Sequence, residues 1–278
     1  MKRINCKLIV SDFDGTLLNT KYTISQTVKD AINEYVSAGG IFAVCTGRML
    51  KSILPRVREL GLKGFVAALQ GTVIADIETG EIIKCGGFKN EEAKEICDEF
   101  LLNGYNVNAY CENTLYTTIP QDDKKLKLYL DITRVEAEYV THCSMGEYLT
   151  ENNILCQKIG CLVDPRKMLD LYGKIKQSIG DKYDVNYSAV ILIEVSPKGD
   201  DKGEVLRFLS KKYKVPMEKC VAVGDSLNDL SMIKQAGIGI AVANAAEPLK
   251  AEADYITVSN DEDAIAKVIE KFGFINEN

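Results

Sequence analysis

The stretch Val10-Ser11-Asp12-Phe13-Asp14-Gly15-Thr16-Leu17-Leu18 places two carboxylates two positions apart, where an apolar run meets a glycine turn. The residues before it, Leu8-Ile9-Val10, are short, apolar and rich in β-branching, the pattern of a buried parallel strand. Two acids released at the carboxyl end of such a strand carry a desolvation penalty. Such a penalty is met where the charges face a cation or take part in chemistry. One carboxylate can attack phosphorus while its neighbour carries a proton to or from the leaving group.

Outward from this point, strands and helices alternate. The patterning predicts a strand over 4–12, a helix over 25–38 closed by Gly39-Gly40, a strand over 41–45, a helix over 49–60 and a strand over 65–69. A hairpin pairs Thr72–Asp76 with Glu81–Lys84. Ser25 reads as the N-cap of the first helix, ahead of the apolar face Val28, Ile32, Tyr35 and Val36. The last third alternates again: helix 202–212, strand 220–223, helix 227–235, strand 238–242, short helix 247–251, strand 255–257 and helix 262–271. Alternation of this kind implies an α/β fold, with right-handed crossovers and a mostly parallel sheet covered on both faces.

The middle differs. A helix over 90–102, strands over 107–111, 115–118 and 155–163, a helix over 165–178 and a hairpin of 183–187 with 190–195 suggest an α+β module. Residues 119–150 show no clear period. The expected organisation is a core of residues 1–84 and 194–278 interrupted by an inserted module, 85–193, large enough to fold as its own domain. Sites in open parallel sheets form outside the carboxyl ends of the strands. An insertion leaving from that edge is expected to lie over the site as a lid.

Composition narrows the function. With 278 residues and 46% apolar content the chain can bury a full core, and two domains are expected. The longest apolar runs, such as Ile41–Cys45, fall far short of the ~20 residues of a membrane span. The segment Met1–Cys6 has no cleavable apolar region, so a cytoplasmic protein is expected. Nine scattered cysteines without a Cys-x-x-Cys pair fit small buried hydrophobes in a reducing compartment, not a disulfide framework or a zinc site. His142 is the single histidine, which excludes a histidine triad or a multi-histidine metal site. The net charge is −6, with +3 over residues 1–84, −5 over 85–193 and −4 over 194–278. Nucleic acid is a poor partner for such a chain.

Four clusters fall at the carboxyl ends of expected core strands or open the helix that follows. They are Asp12 with Asp14, Cys45-Thr46-Gly47-Arg48, Gly224-Asp225-Ser226-Leu227-Asn228-Asp229, and Lys202-Gly203 after Asp200-Asp201. Together they offer acids for a divalent cation, a hydroxyl and amides for phosphate oxygens, and a lysine to offset charge. Phosphoryl transfer needs that set, because its catalysis is largely positioning plus electrostatic stabilisation. Mg²⁺ suits carboxylate, carbonyl and water oxygens. Each motif alone has a plainer reading: Asp-x-Asp-Gly as a turn, Thr46, Asp225 or Asn228 as helix caps, Lys202 as a solvated lysine with Lys198 as its rival. Their joint arrangement favours chemistry.

In this order, Asp12-Phe13-Asp14-Gly15-Thr16-Leu17-Leu18, Thr46-Gly47-Arg48, Lys202 and Gly224–Asp229 resemble the four motifs of the haloacid dehalogenase-like phosphatases. The insertion between the second and third resembles the type-two cap of the Cof-like branch. The resemblance implies a Rossmann-like core with an inserted cap that sets substrate specificity. It implies a Mg²⁺-dependent phosphatase of a small phosphorylated metabolite, a sugar phosphate or similar phosphomonoester, working through an aspartyl-phosphate. Asp12 would be the nucleophile, and Asp14 the general acid and then the base. Mg²⁺ would bind the Asp12 carboxylate, the Asp14 backbone carbonyl and the Asp225 carboxylate, with Asp229 in support. Thr46, the Gly47 amide, Lys202 and Asn228 would hold the phosphoryl group. The expected partner is thus a small phosphorylated molecule, neither nucleic acid nor membrane, bound by a monomer or homodimer.

The chain departs from the family where Gln70-Gly71-Thr72 replaces the frequent Asn-Gly-Ala, and where Val242-Ala243-Asn244-Ala245 carries alanine for glycine. Two other functions use the same residues: a phosphomutase that passes the phosphoryl group to another hydroxyl, and a non-catalytic sensor phosphorylated on Asp12. Asp14 counts against the sensor, because an acid–base group beside an acyl phosphate hastens its loss. Tyr110, Tyr116, Tyr187 and Glu194 are the candidates for substrate contact in the inserted module.

Overall fold

Strand β1 (Leu8–Asp12) is buried at every position, as a central strand covered on both faces must be. In the computed structural model, which describes residues 6–111, 113–188 and 191–273, it lies in the middle of an eight-stranded sheet. Residues 4 and 5 of the expected first strand, and Val190 of the expected hairpin, lie outside the described residues.

The chain continues through α1 (Gln26–Ser37), β2 (Ile41–Cys45), α2 (Leu50–Glu59), β3 (Phe65–Ala68), β4 (Val73–Asp76) and β5 (Ile82–Cys85). It then makes α3 (Asn90–Leu102), β6 (Asn108–Cys111), β7 (Thr114–Thr117), α4 (Lys124–Thr133), β8 (Ala137–Tyr139) and α5 (Met145–Glu151). Next come β9 (Lys158–Leu162), α6 (Met168–Ile179), β10 (Tyr183–Ser188) and β11 (Leu192–Pro197). It closes with α7 (Lys202–Tyr213), β12 (Cys220–Gly224), α8 (Leu230–Gln235), β13 (Ile238–Ala241), α9 (Glu247–Lys250), β14 (Tyr255–Ile256) and α10 (Ala264–Phe272).

Two compact units result. The first takes the residues up to Gly47, Ile53–Lys84 and those from Asp201 onward. Its sheet has the order β14-β13-β12-β1-β2-β3-β4-β5. The strands from β14 to β3 are parallel, and β4 turns back antiparallel on β3. Apolar helix faces cover the sheet. In α1, Ser25 caps the helix by accepting from the Val28 amide, and Val28, Ile32 and Tyr35 are buried. Because β1 pairs with both β2 and β12, Asp12, Thr46 and Asp225 all leave the sheet at one end.

The second unit takes Arg48–Ser52 and Cys85–Asp200. Its sheet has the order β10-β11-β9-β6-β7-β8, antiparallel except between β7 and β8. One face packs on helices, with Ile96, Phe100, Met145, Leu171 and Ile175 against Ala109, Ile159, Cys161 and Ile193. The opposite face carries a smaller apolar cluster, in which Leu126 and Tyr129 of α4 meet Leu162 and Leu192. The insertion was expected to end at residue 193, but β11 pairs with β9 and β10 along its length and the unit runs to Asp200. No turn signal interrupts Ile191-Leu192-Ile193-Glu194-Val195 to mark a break at 193.

Residues 119–150, unassigned by pattern, form α4, β8 and α5. Their period is blurred for a physical reason. In α4 only Leu126 is buried, while Leu128 and Ile132 are exposed, so apolar residues fall on both sides of the helix. Among the described residues no helix is long and apolar enough to cross a membrane.

Candidate active site

Asp12 ends β1 and is only 6% exposed. The chain then turns through Phe13–Leu17, where Gly15 takes a left-handed φ of 87°. That conformation is open to glycine at little cost. Space makes the same demand, since a Cβ on Gly15 would lie 2.7 Å from Asp225 Oδ2. The turn therefore presses backbone against the Asp225 carboxylate. Thr16 Oγ1 donates to Asp225 Oδ1 at 3.0 Å, so the stretch that carries Asp12 also orients the acid after β12.

Lys202 opens α7 and is 1% exposed. Its ammonium bridges Asp12 Oδ1 and Asp229 Oδ1. Asp229 is fully occupied, because its Oδ2 accepts from the Asp225 and Ser226 amides at 3.0 and 2.9 Å. Asp12 Oδ2, by contrast, is buried with no hydrogen-bond partner. Ligand atoms of Asp12, Asp225 and Asp229 lie within 4.8 Å of one another.

Three acids around one lysine leave excess negative charge in a dry place. Burial holds the Asp12 carboxyl well above its ordinary value; Lys202 works against this, while Asp229 and Asp225 add to it. Asp225 is raised as well, by burial and then by Asp229, with the Thr16 hydrogen bond opposing. For Lys202 burial pulls downward, but the Asp12 and Asp229 charges outweigh it and keep the ammonium protonated. A divalent cation fits this donor set. The oxygens are hard, one buried carboxylate oxygen lacks a partner, and the local charge is uncompensated.

The remaining candidates fall around this cluster or away from it. Thr46 follows Cys45, the residue paired with Asp12, and is buried with its amide bonded to the Ala67 carbonyl. Gly47 lies against Gln70, whose Nε2 would be 2.8 Å from any Cβ there. Asn228 is exposed, and its amide meets Gln70 Oε1 at 3.5 Å. Asp14 is exposed in the turn and stands outside the three-carboxylate cluster. Lys198, the rival of Lys202, instead bonds the Asp181 carbonyl in the second unit. Two residues that the sequence marks only as lying in departures from the family pattern have supporting contacts here. Asn244 donates to the Gly15 carbonyl at 2.8 Å and accepts from the Asn260 amide, fixing the turn from outside. Gln70 adopts a left-handed φ of 62°, where asparagine is better tolerated than glutamine. The signal for Asn244 was its place just past the carboxyl end of β13.

Gly15→Ala should destabilise the protein by about 1–2 kcal/mol from the left-handed backbone alone. Contact with Asp225 adds to that cost. A fall in the urea midpoint measures the loss, and an unchanged midpoint would show that the turn relaxes freely.

Comparison with known proteins agrees with this geometry. A family model described as haloacid dehalogenase-like hydrolase matches residues 9–269, which include every residue of the cluster. Phosphatase YwpJ of Bacillus subtilis (strain 168) is 29% identical over 283 residues, covering 95% of this chain and 98% of that protein. The 5-amino-6-(5-phospho-D-ribitylamino)uracil phosphatase YcsE of the same organism is 28% identical over 268 residues, 96% of this chain and 95% of its own. The crystal structure of a haloacid dehalogenase-like hydrolase from Bacteroides thetaiotaomicron matches with a TM-score of 0.82 at 29% identity, covering 96% of this chain and 99% of that one. The chain belongs to the haloacid dehalogenase-like hydrolase family and is a phosphatase of that family.

Proposed function

We propose that this phosphatase hydrolyses a small phosphorylated metabolite, a sugar phosphate or similar phosphomonoester, through an aspartyl-phosphate on Asp12 and with Mg²⁺ as cofactor. The observation that carries the reading is the Asp12 carboxylate, with one oxygen tied to Lys202 and the other buried without a partner. An acid held so is oriented and desolvated, and the second oxygen is available as a nucleophile. The relative YcsE, named for a substrate with a phosphorylated ribityl chain, supports the substrate class.

In this reading Asp12 Oδ2 bonds to phosphorus as the bond to the leaving oxygen breaks. Asp14, exposed in the adjoining turn, gives that oxygen its proton. Asp14 then takes a proton from the water that attacks the aspartyl-phosphate, returning inorganic phosphate and the free Asp12 carboxylate. Lys202 balances charge on Asp12 and on the phosphoryl oxygens, which Thr46, the Gly47 amide and Asn228 hold in place. The Asp12 and Asp225 carboxylates and the Asp14 carbonyl would hold Mg²⁺, and Asp229, its own oxygens taken, would position Lys202 and the Asp225 loop. Bound there, the ion supplies the positive charge that lets an anionic nucleophile meet an anionic phosphate.

The unit containing β1 would be the catalytic core, and the inserted segment from residue 85 would supply substrate specificity. A cytoplasmic setting suits the cysteines, most of which are buried among apolar side chains.

A phosphate-release screen over hexose, pentose and pentitol phosphates tests the activity. Asp12→Asn should cut turnover by on the order of 10⁴-fold or more, and retention of normal turnover would remove Asp12 as nucleophile. Chelation should abolish release, with Mg²⁺ restoring it and the loosely coordinated Ca²⁺ failing to do so. Equal activity with both ions would contradict the Mg²⁺ assignment.

Stability should report the same ion. Asp12 has a raised folded value, so between an ordinary carboxylate value of about 4 and that raised value the folded state holds more protons than the unfolded one. Its contribution to stability therefore falls as pH rises through this window. Mg²⁺ binds the ionised form and should raise Tm more at pH 7.5 than at pH 5; equal increments at both would count against carboxylate ligation.

A further inference from the structure

Three residues in succession after β3 take positive φ: Leu69 at 51°, Gln70 at 62° and Gly71 at 104°. Only the last is glycine. The turn is held rigidly in that shape. Thr72 Oγ1 donates to the Leu69 carbonyl at 2.9 Å, and Lys84 Nζ donates to the Gly71 carbonyl at 3.2 Å. Gly71 leaves no room for a side chain, since a Cβ there would lie 2.4 Å from Val205 Cγ2 and 3.0 Å from the Asp201 carbonyl oxygen. Asp201 is the N-cap of α7, directly before Lys202.

From this turn Gln70 reaches two loops of the site. Its amide donates to the Thr46 carbonyl at 3.0 Å. Its side-chain Nε2 lies against Gly47, 2.8 Å from where a Cβ would stand. Its Oε1 accepts from Asn228 Nδ2 at 3.5 Å. Thr46, Gly47, Gln70 and Asn228 all belong to the first unit. The candidates in the second unit show no such convergence: Tyr110 is fully buried, Tyr116 packs against the helical core, Tyr187 is exposed beside Tyr172, and Glu194 bonds Lys158.

The backbone gives no reason for glutamine at this position. A left-handed φ is uncommon outside glycine, and asparagine tolerates it better. Strain of this sort persists where the surroundings impose it, and it gathers at working sites. What glutamine adds over asparagine is one methylene of reach, and that reach ends on Asn228 and Gly47.

We propose that Gln70 is a positioning residue that orients the Asn228 amide toward the phosphoryl group. The inference rests on the reading in which Asn228 and the Gly47 amide hold that group, and adds what aims them. An asparagine amide has an acceptor at one end and two N–H donors at the other. Turned the wrong way, it would set its oxygen against the phosphoryl oxygens. By accepting one Nδ2 hydrogen, Gln70 Oε1 fixes which end faces inward and leaves the second hydrogen for a phosphoryl oxygen.

Calorimetric titration of inorganic phosphate into the full-length protein with Mg²⁺ present tests this. Gln70→Met keeps the length of the side chain but lacks the acceptor, and should weaken phosphate binding by about threefold or more with Tm unchanged. Gln70→Gly relieves the backbone as well, so it should weaken binding at least as much while Tm holds or rises. In an Asn228→Ala background Gln70→Met should alter the affinity by less than about twofold, because the group it orients is gone. If either variant binds phosphate within about threefold of the unsubstituted protein, the proposal is overturned. It is also overturned if Gln70→Met costs more than about twofold without Asn228, or if Tm falls with affinity in both variants, since Gln70 would then only support the turn. The underlying reading fails separately: Asn228→Ala with undiminished phosphate affinity would remove Asn228 as a phosphoryl ligand, and this proposal with it.

Discussion

The ammonium of Lys202 is the interaction on which the candidate site depends. It is buried between two carboxylates that arrive from opposite ends of the chain, Asp12 from the first strand and Asp229 from the turn after β12. Without that charge, three acids within 4.8 Å would share an almost dry space. Breaking a buried ionic arrangement by removing one partner leaves uncompensated charge, which is far more costly than losing a surface pair. The lysine does not cancel the acids, however. It leaves a surplus of negative charge and one carboxylate oxygen without a partner. The arrangement stays together in the resting protein and still favours a cation.

The backbone around the cluster serves the same end. Asp229 spends one oxygen on Lys202 and the other on two amides of the loop bearing Asp225. Thr16 and the close approach of Gly15 hold Asp225 from the other side. Asn244 then ties the Gly15 carbonyl to the loop after β13. The turn after β1 and the loop after β12 thus hold one another's acids in place, with Lys202 between them. Such positioning suits a reaction whose catalysis is mainly electrostatic, because little reorganisation is left for the moment of transfer.

What could be read from the residues followed from contrast. Asp12 and Asp225 stand out because ionisable groups end strongly apolar runs, and the parallel sheet follows from the alternation of those runs with amphipathic helices. Lys202 could be singled out as the first residue of a helix, but its burial could not, since nothing in Asp200-Asp201-Lys202 distinguishes it from a solvated lysine. Helix α4 was hidden because Leu128 and Ile132 point to solvent, which destroys the apolar stripe. The extent of the second unit was hidden in a similar way, as Leu192–Pro197 is apolar enough for a strand in either sheet. Gln70 and Asn244 stand in stretches that the sequence marks, but their partners, Asn228 and Gly15, are 158 and 229 residues away and no local pattern names them.

The strand order has a consequence for synthesis. β1 is hydrogen-bonded on one side to β2, about thirty residues later, and on the other to β12, which begins at Cys220. As the chain leaves the ribosome, the inner strand must keep one row of amide and carbonyl groups unpaired while the whole intervening unit is made. An open strand edge of that apolar kind invites pairing with a neighbouring chain. The nascent protein is therefore most exposed to misassembly at the strand that later becomes its best-protected element.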